Sequence, residues 1–278
     1  MIVPIHGIKV VVKRVKRLKI EELLNKGFSL QAQGKPEDAI TYFNEVIQLE
    51  PRHAVAYHRR GIARSTLGQH ELAIQDYTEA IRLSPGLVAA YSNRGNSHYA
   101  LGQHELAVKD YSEAIQLNPE FAPAYNNRGN AYRILGRYEL AIRDFDEAIR
   151  LNPREGTAYN GRGMANLALG LYELAVEDCS EAIRLNPSFA AAYNNRGNAY
   201  LALGQQELAI QDYEEATRLN PDDEGACHNL ASALEHTDTH KALRVWARYL
   251  QIAKVFPNGK GWIEEVLKIK KNSENMVS

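Results

Sequence analysis

Apolar and small residues recur along this chain with a period of 34 residues, and each period contains two amphipathic stretches. In the second stretch, apolar side chains fall mainly at period positions 20, 24 and 27, a spacing that places them on one face of an α-helix. A proline closes each period, at Pro51, Pro85, Pro119, Pro153, Pro187 and Pro221. Because proline cannot continue a helix, the pattern predicts two short helices per period, the second ending before the proline.

Alignment on these prolines divides residues 20–223 into six units of 34 residues. The units are 20–53, 54–87, 88–121, 122–155, 156–189 and 190–223. A period of this length is typical of a stacked array, in which each unit packs only against its neighbours.

Every unit carries two glycines, at positions 8 and 15, as in Gly61 and Gly68. The second follows the first helix and predicts a helix cap. The first lies inside a helix, where glycine costs roughly 1 kcal/mol relative to alanine. Since all six units accept this cost, and an alanine such as Ala73 stands twelve residues later, we expect the two helices to approach most closely at this glycine and alanine.

The order of aromatic, Gly, Ala, aromatic, Ala and Pro over 34 residues resembles the tetratricopeptide repeat (TPR) family. The resemblance covers residues 20–223. It implies an all-α, right-handed superhelical solenoid of antiparallel helix pairs. It also implies that the first helices line a concave groove, which receives an extended peptide or a helix of a partner.

The segments outside the six units are assigned by comparison with the repeat. Residues 224–257 are interpreted as a degenerate seventh repeat, with Cys227 and Ala231 at positions 4 and 8. Residues 258–278 are expected to form a C-terminal cap helix, about Trp262 to Lys271, and a tail. An end repeat needs such a cap, since its apolar face would otherwise be exposed.

The charge is nearly balanced, with 33 Lys and Arg against 34 Asp and Glu, but it is unevenly distributed. Residues 1–19 contain six basic side chains and no acidic one, whereas residues 20–278 contain 27 basic and 34 acidic residues, a net charge of −7. The basic N-terminal arm, residues 1–19, either extends the first helix as a cap or binds nucleic acid or an anionic membrane surface.

Position 7 is apolar in the usual TPR pattern, but it is Arg in five units, and position 23 is Asp in the same five. The first unit has Lys26 and Tyr42 instead. The joint occurrence predicts structural ion pairs between Arg60 and Asp76, Arg94 and Asp110, Arg128 and Asp144, Arg162 and Asp178, and Arg196 and Asp212, with the Glu at position 26 as a second acceptor. The alternative is a column of arginines that faces a ligand.

Asparagine is abundant at the positions that, by the resemblance, face the groove. The predicted groove residues are His58, Arg59, Asn93, Asn96, Tyr99, Asn126, Asn127, Asn130, Arg133, Asn160, Asn194, Asn195, Asn198 and Asn229. Asparagine is a poor helix former, and its carboxamide can bond both groups of a peptide unit. The asparagines therefore either hold a peptide backbone or bond neighbouring helices and water.

The sequence offers no catalytic constellation. His70 and Glu71 begin an H-E-x-x-H zinc motif, but its second histidine is missing, and no Walker A, dinucleotide or nucleophile-elbow motif is present. We therefore predict no enzyme activity, no cofactor, no bound metal and no small-molecule substrate.

The function predicted from sequence is that of a protein-protein interaction scaffold, adaptor or assembly factor that binds an extended peptide in the groove. Two alternatives stay open: nucleic-acid or membrane-surface association through the arm, and a self-assembling structural solenoid. Two cysteines and no apolar run of membrane-spanning length favour a cytoplasmic location.

Overall fold

The computed structural model describes the backbone of residues 5–235 and 237–253, and the side chains of residues 13–249 except 236, 239, 240 and 247. Every regular element in this part of the chain is an α-helix. The cap helix predicted within residues 258–278 lies outside the described residues, as do the first four residues of the arm. The chain divides into two compact units, the N-terminal unit (1–135) and the C-terminal unit (136–278).

The N-terminal unit has seven helices in its described part. They are α1 (Ile5–Ala32), α2 (Pro36–Leu49), α3 (Ala54–Thr66), α4 (His70–Leu83), α5 (Val88–Ala100), α6 (His104–Leu117) and α7 (Ala122–Ile134). Odd-numbered helices are the first helices of the repeats and even-numbered helices the second. Each helix packs against the next one, and each first helix also contacts the following first helix. Since α2, α4 and α6 make no such contact with one another, the first helices share a continuous surface, the first-helix face.

The C-terminal unit follows the same plan over the residues that the structure describes. Its helices are α8 (Tyr138–Leu151), α9 (Gly156–Ala168), α10 (Tyr172–Leu185), α11 (Ala190–Ala202), α12 (Gln206–Leu219), α13 (Glu224–Leu234) and α14 (Thr239–Ala253). The first helices α9, α11 and α13 contact one another in succession and form the first-helix face of this unit.

The glycine at position 15 ends each first helix, as predicted. At Gly68 the backbone has a φ of +72°, a left-handed conformation that glycine adopts without a Cβ clash. The Gly68 N–H donates to the Ser65 carbonyl over 3.0 Å, and the Gln69 N–H to the Arg64 carbonyl over 2.9 Å. These two bonds form a Schellman cap, which turns the chain directly into the second helix.

The glycine at position 8 makes room for the side chain at position 24 of the same repeat, which is an aromatic ring in most repeats. A Cβ added to Gly163 would also lie 3.4 Å from the backbone oxygen of Ala175, the alanine at position 20 that was expected to lie near it. A Cβ added to Gly61 would lie 2.7 Å from Cε1 of Tyr77, the ring at position 24 of the same repeat. Gly27 with Phe43, Gly95 with Tyr111 and Gly197 with Tyr213 show the same overlap. Positions 20 and 24 lie on one face of the second helix, and the larger side chain sets the point of closest approach.

The first helix of the N-terminal unit begins well before the first repeat. Helix α1 starts at Ile5, so described residues 5–19 of the basic arm continue the helix that packs on α2. Ile20 and Leu23 are buried, whereas Val15 and Leu18 are 60% and 57% exposed. Contact with the rest of the unit therefore begins at about Ile20.

Helices α13 and α14 close the described part of the C-terminal unit as a further packed pair. Cys227 and Leu230 of α13 are buried with Trp246 and Tyr249 of α14 in one apolar cluster that also includes Tyr213. The tyrosine hydroxyl of Tyr249 donates to Glu224 over 2.7 Å. The degenerate repeat thus keeps an apolar core although its own sequence departs from the pattern.

Candidate functional site

The asparagines of the first-helix face lie close together from one repeat to the next. Position 6 of each first helix lies beside positions 5 and 9 of the preceding first helix. In the N-terminal unit, Asn127 Nδ2 of α7 donates to Asn96 Oδ1 of α5 over 3.0 Å. The Tyr111 hydroxyl of α6 donates to the same oxygen over 2.8 Å. Asn96 is therefore the shared acceptor of a network that joins two repeats.

A second contact of this kind joins α5 to α3. Asn93 Nδ2 lies 3.0 Å from Nε2 of His58, and a donated amide hydrogen there needs the lone pair of a neutral imidazole. Burial, with a smaller effect from the positive charge of Arg59, lowers the pKa of His58 to about 4. The ring is consequently neutral at physiological pH and acts as an acceptor.

Five residues of the N-terminal unit line a pocket of about 350 Å³ on this face. They are Asn96, Tyr99, Tyr111, Asn127 and Asn130. Asn130 Nδ2 donates to the Asn126 carbonyl over 3.1 Å, which fixes the amide plane of Asn130. The ring of Tyr99 meets His104 edge-on, with the ring centroids 5.0 Å apart. The pocket wall is thus built from side chains held by their neighbours.

The two predicted groove arginines of this unit have different surroundings. The guanidinium of Arg59 lies over the ring of Phe28, with 4.7 Å between Cζ and the ring centroid. Nε of Arg133 is buried and has no hydrogen-bond partner among the described residues, and the same is true of Oδ1 of Asn126. Arg59 therefore packs on an aromatic side chain, and Arg133 retains an unused donor.

The asparagines of the C-terminal unit also bond from one first helix to the next. Asn195 Nδ2 donates to Asn160 Oδ1 over 2.9 Å, and both side chains are buried. Asn229 Nδ2 donates to Asn194 and Asn198 over 2.9 and 3.1 Å. The Tyr213 hydroxyl donates to Asn198 Oδ1 over 2.8 Å, which repeats the network found around Asn96.

The fifth repeat lacks the asparagine at position 6, and the structure shows why. That position is Gly161, where an added Cβ would lie 2.5 Å from Cζ of Phe145 in α8. Tyr111 and Tyr213 donate to Asn96 and Asn198, the asparagines at position 9 of their own repeats. Asn127 and Asn229, at position 6 of the following repeats, donate to the same two oxygens. Phe145 has no hydroxyl to donate in this way, and Gly161 has no carboxamide.

The Arg at position 7 and the Asp at position 23 meet within four repeats. Arg94 donates through Nε and Nη2 to the two carboxylate oxygens of Asp110, over 2.9 and 2.7 Å. The shortest distances in the other pairs are 2.6 Å for Arg60 and Asp76, 2.5 Å for Arg162 and Asp178, and 2.7 Å for Arg196 and Asp212. Arg128 and Asp144 belong to different units, and their pairing stays a prediction.

Each of these arginines has a second partner that the sequence analysis missed. Its Nη1 donates a hydrogen bond to the residue at position 25 of the preceding repeat. The acceptors are Asn44 for Arg60, Thr78 for Arg94, Ser112 for Arg128, Asp146 for Arg162 and Ser180 for Arg196, over 2.5–3.1 Å. The sequence does contain a signal for this contact, since the residue at position 25 is short and polar in all five preceding repeats. The arginine therefore joins two repeats as well as two helices.

The Glu at position 26 is not the second acceptor, which corrects that expectation. Glu79 pairs with Arg82, three residues later on the same helix, over 2.6 Å. The corresponding pairs are Glu147 with Arg150, Glu181 with Arg184, and Glu215 with Arg218. In these four repeats the glutamate at position 26 is therefore bonded along its own helix.

Among the described residues, no group of three or more His, Cys, Asp or Glu side chains is arranged to hold a metal ion. No helix in that part of the chain is both long and apolar enough to cross a membrane.

The fold and this face define an α-helical repeat protein built from paired helices. More specifically, the chain belongs to the tetratricopeptide repeat family. Family models described as "Tetratricopeptide repeat" match residues 20–53, 122–155 and 190–223, and one described as "TPR repeat" matches residues 63–102, 95–133 and 167–204.

Solved structures with the same fold are similar to this chain at low sequence identity. A tetratricopeptide repeat protein from Parabacteroides merdae has a TM-score of 0.71 and 22% identity, covering 91% of this chain and 98% of its own. YrrB, described as a TPR protein with an unusual peptide-binding site, has a TM-score of 0.55 and 22% identity over 67% of this chain and 96% of its own. The Cut9–Hcn1 hetero-tetramer of APC/C has a TM-score of 0.72 and 20% identity, over 87% of this chain and 48% of that chain. No relative among curated proteins matches the sequence.

Proposed function

We propose that this protein is a non-catalytic interaction scaffold whose first-helix face holds an extended segment of a partner protein. The observation that carries the proposal is the pocket of about 350 Å³ around Asn96 and Asn130 in the N-terminal unit. TPR proteins as a family bind other proteins, and YrrB is described as having a peptide-binding site. These facts support an interaction role, and the pocket suggests where contact occurs.

The pocket offers one donor and one acceptor to a peptide group. Asn96 Oδ1 is occupied by Tyr111 and Asn127, so its Nδ2 is the group left for a ligand. Asn130 Nδ2 is occupied by the Asn126 carbonyl, so its Oδ1 is the group left there. An amide N–H and an amide C=O in one pocket match the C=O and N–H of an extended peptide. These two groups would bind the peptide backbone, so any selectivity for side chains would come from other residues of the pocket.

Tyr99 adds an apolar wall to the same pocket. Its ring is already held against His104, so a ligand side chain that packs on it loses little additional tyrosine freedom. Arg133, two helical turns after Asn126 on α7, would favour an acidic residue in the bound segment. The preferred ligand is therefore an extended peptide with an apolar residue and an acidic one.

The proposal describes a non-catalytic protein, and the states of Cys179 and His58 are compatible with it. Burial raises the pKa of the Cys179 thiol to about 12, so this thiol is protonated at neutral pH. His58 is neutral, but it is committed to Asn93.

The experiment is a selection of peptides from a displayed random library on the full chain, followed by measurement of Kd for the selected peptides. We expect Asn96→Ala and Asn130→Ala each to weaken binding about tenfold, the effect of losing one buried hydrogen bond. Tyr99→Ala should weaken it at least as much.

Asn198→Ala is the matched control, because Asn198 accepts from Tyr213 and Asn229 as Asn96 does from Tyr111 and Asn127. The two variants lose equivalent internal bonds, so a general loss of stability would affect both. Equal affinity of the wild type, Asn96→Ala and Asn130→Ala for the selected peptides would show that the pocket is not the binding site.

A further inference from the structure

Position 19 of the second helices carries an exposed leucine in both units. Leu72 and Leu106 of the N-terminal unit are 41% and 48% exposed, and the C-terminal unit has a column of three. Leu140 of α8, Leu174 of α10 and Leu208 of α12 all occupy position 19 and are 40%, 48% and 41% exposed. These leucines stay exposed although α8, α10 and α12 pack against first helices and α12 is also joined to α14 by the ion pair of Glu214 with Lys241. One exposed leucine needs no explanation, but three at the same position form a repeated apolar surface, the leucine column.

The leucine column is bordered mainly by negative charge, although Arg143 is exposed one turn after Leu140. Glu139, Glu173 and Glu207 directly precede the three leucines and are exposed. None of the three forms an ion pair in the part of the chain that the structure describes. A complementary surface would therefore be apolar at its centre and positive at its edge.

Helix α1 presents a surface of that kind at residues 13–18. Val15 and Leu18 lie three residues apart, on one side of the helix, and both are mostly exposed. Lys13, Arg14 and Lys16 surround them, are exposed, and form no ion pair with described residues. Burial of apolar side chains of α1 begins at Ile20, and Lys13 and Lys16 line an open pocket with Glu50 and His53 of the same unit. Val15 and Leu18 are therefore the exposed apolar pair of a basic helical segment.

We propose that residues 13–18 of α1 in one copy of the protein dock on the leucine column of a second copy. The apolar pair Val15 and Leu18 would cover the leucines, and the lysines and arginine would meet the glutamates. The surface lies on second helices and is separate from the first-helix face assigned to partner binding.

The test is the mass of the full chain in solution, measured by light scattering over a range of concentrations. We expect the mass to rise above 31.2 kDa with concentration at about 50 mM salt and to return to that value at about 500 mM, where the charges are screened. A plateau at twice this mass would indicate reciprocal docking of two copies, and continued growth would indicate open chains; either supports the proposal.

Two sets of variants identify the surfaces. Leu140→Gln, Leu174→Gln and Leu208→Gln combined, or Val15→Gln with Leu18→Gln, should each weaken association at least tenfold. All five side chains are exposed, so these changes should leave the fold intact. The control is Leu201→Gln on α11, where the leucine is 45% exposed but lies on a first helix, and its association should equal that of the wild type.

Exchanging the charges of the two surfaces tests whether association can be restored between two altered chains. A chain with Glu139→Lys, Glu173→Lys and Glu207→Lys, and a chain with Lys13→Glu, Arg14→Glu and Lys16→Glu, should each remain monomeric alone and associate when mixed. A mass of 31.2 kDa for the wild type at every concentration would overturn the proposal. It would also be overturned if Leu201→Gln weakened association as much as the leucine-column variants do. Binding of a monomeric chain to phosphatidylserine vesicles that depends on Val15 and Leu18 would overturn it too, by assigning the segment to a lipid surface.

Discussion

Arg196 and Asp212 form a two-pronged ion pair between the two helices of the sixth repeat. Nε and Nη2 of the arginine each donate to a different carboxylate oxygen over 2.7 Å, and the carboxylate is almost fully buried. The remaining Nη1 donates to Ser180 of the preceding repeat over 3.0 Å. One side chain at position 7 therefore links three helices, α10, α11 and α12, where the family pattern has an apolar residue.

The first prediction concerns the strength of this pair. Asp212→Ala should lower the free energy of unfolding by about 3 kcal/mol, because it leaves a largely buried guanidinium without its carboxylate. In a double-mutant cycle with Arg196→Ala, we expect a coupling energy of at least about 1 kcal/mol. Urea denaturation followed by circular dichroism measures all four chains.

The control cycle uses Arg218 and Glu215, which form an equally short pair on the exposed side of α12. Arg218 is 66% exposed, so its coupling to Glu215 should be much weaker than that of the buried pair. If the two cycles gave the same coupling energy, burial would not be the source of the stability assigned to the buried pair.

The second prediction concerns the bond from one repeat to the next. Asp146 accepts from Arg162 at the position where Ser180 accepts from Arg196. Ser180→Asp should therefore turn a neutral acceptor into a charged one and stabilise the protein by about 0.5 kcal/mol. The gain should decrease with salt and vanish in the Arg196→Ala background; a gain that persists there would have another cause.

The third prediction concerns the glycine at position 8. Gly197→Ala should destabilise the protein by about 1–3 kcal/mol, because the new methyl group overlaps the buried ring of Tyr213. Gly225→Ala on α13 is the control, since a Cβ there meets only the Asp223 carboxylate oxygen at 3.4 Å. That change should be neutral or add up to about 1 kcal/mol through helix propensity. Thermal unfolding of the two variants beside the wild type distinguishes a steric effect from a backbone effect.

The glycine at position 8 also shows how much of the fold could be predicted from the sequence alone. The prolines and the glycine at position 15 predicted the helix boundaries, because both act on the local backbone, and the φ of +72° at Gly68 confirms the cap. The glycine at position 8 was correctly identified as a point of close approach, but the prediction named only the alanine at position 20 and missed the larger side chain at position 24. Ala73 and Tyr77 are four residues apart on one helix face, and periodicity cannot tell which of them lies opposite Gly61.

The asparagines show how much of the candidate site could be predicted from the sequence alone. Sequence placed Asn96, Asn127 and Asn195 on one face, because position within a repeat determines direction. It left open whether they bond a ligand or one another, since the bond from Asn127 to Asn96 spans 31 residues and depends on how consecutive repeats pack. The structure shows that several carboxamides already bond across repeats, which restricts the groups left for a ligand to a few positions such as Asn130.

The last prediction uses the buried imidazole of His58. Its pKa is about 4 in the folded protein, below the ordinary value of 6.5, so the folded state binds this proton less readily than the unfolded chain. The resulting stability is present above pH 6.5 and is lost as the pH falls from 6.5 towards 4, by roughly 2–3 kcal/mol. In His58→Asn, which reproduces the pairing of Asn160 with Asn195, the free energy of unfolding should decrease less over this range. Carboxylates titrate in both chains, so the difference between the two pH profiles isolates the histidine; parallel profiles would mean that Asn93 and burial do not hold the ring neutral.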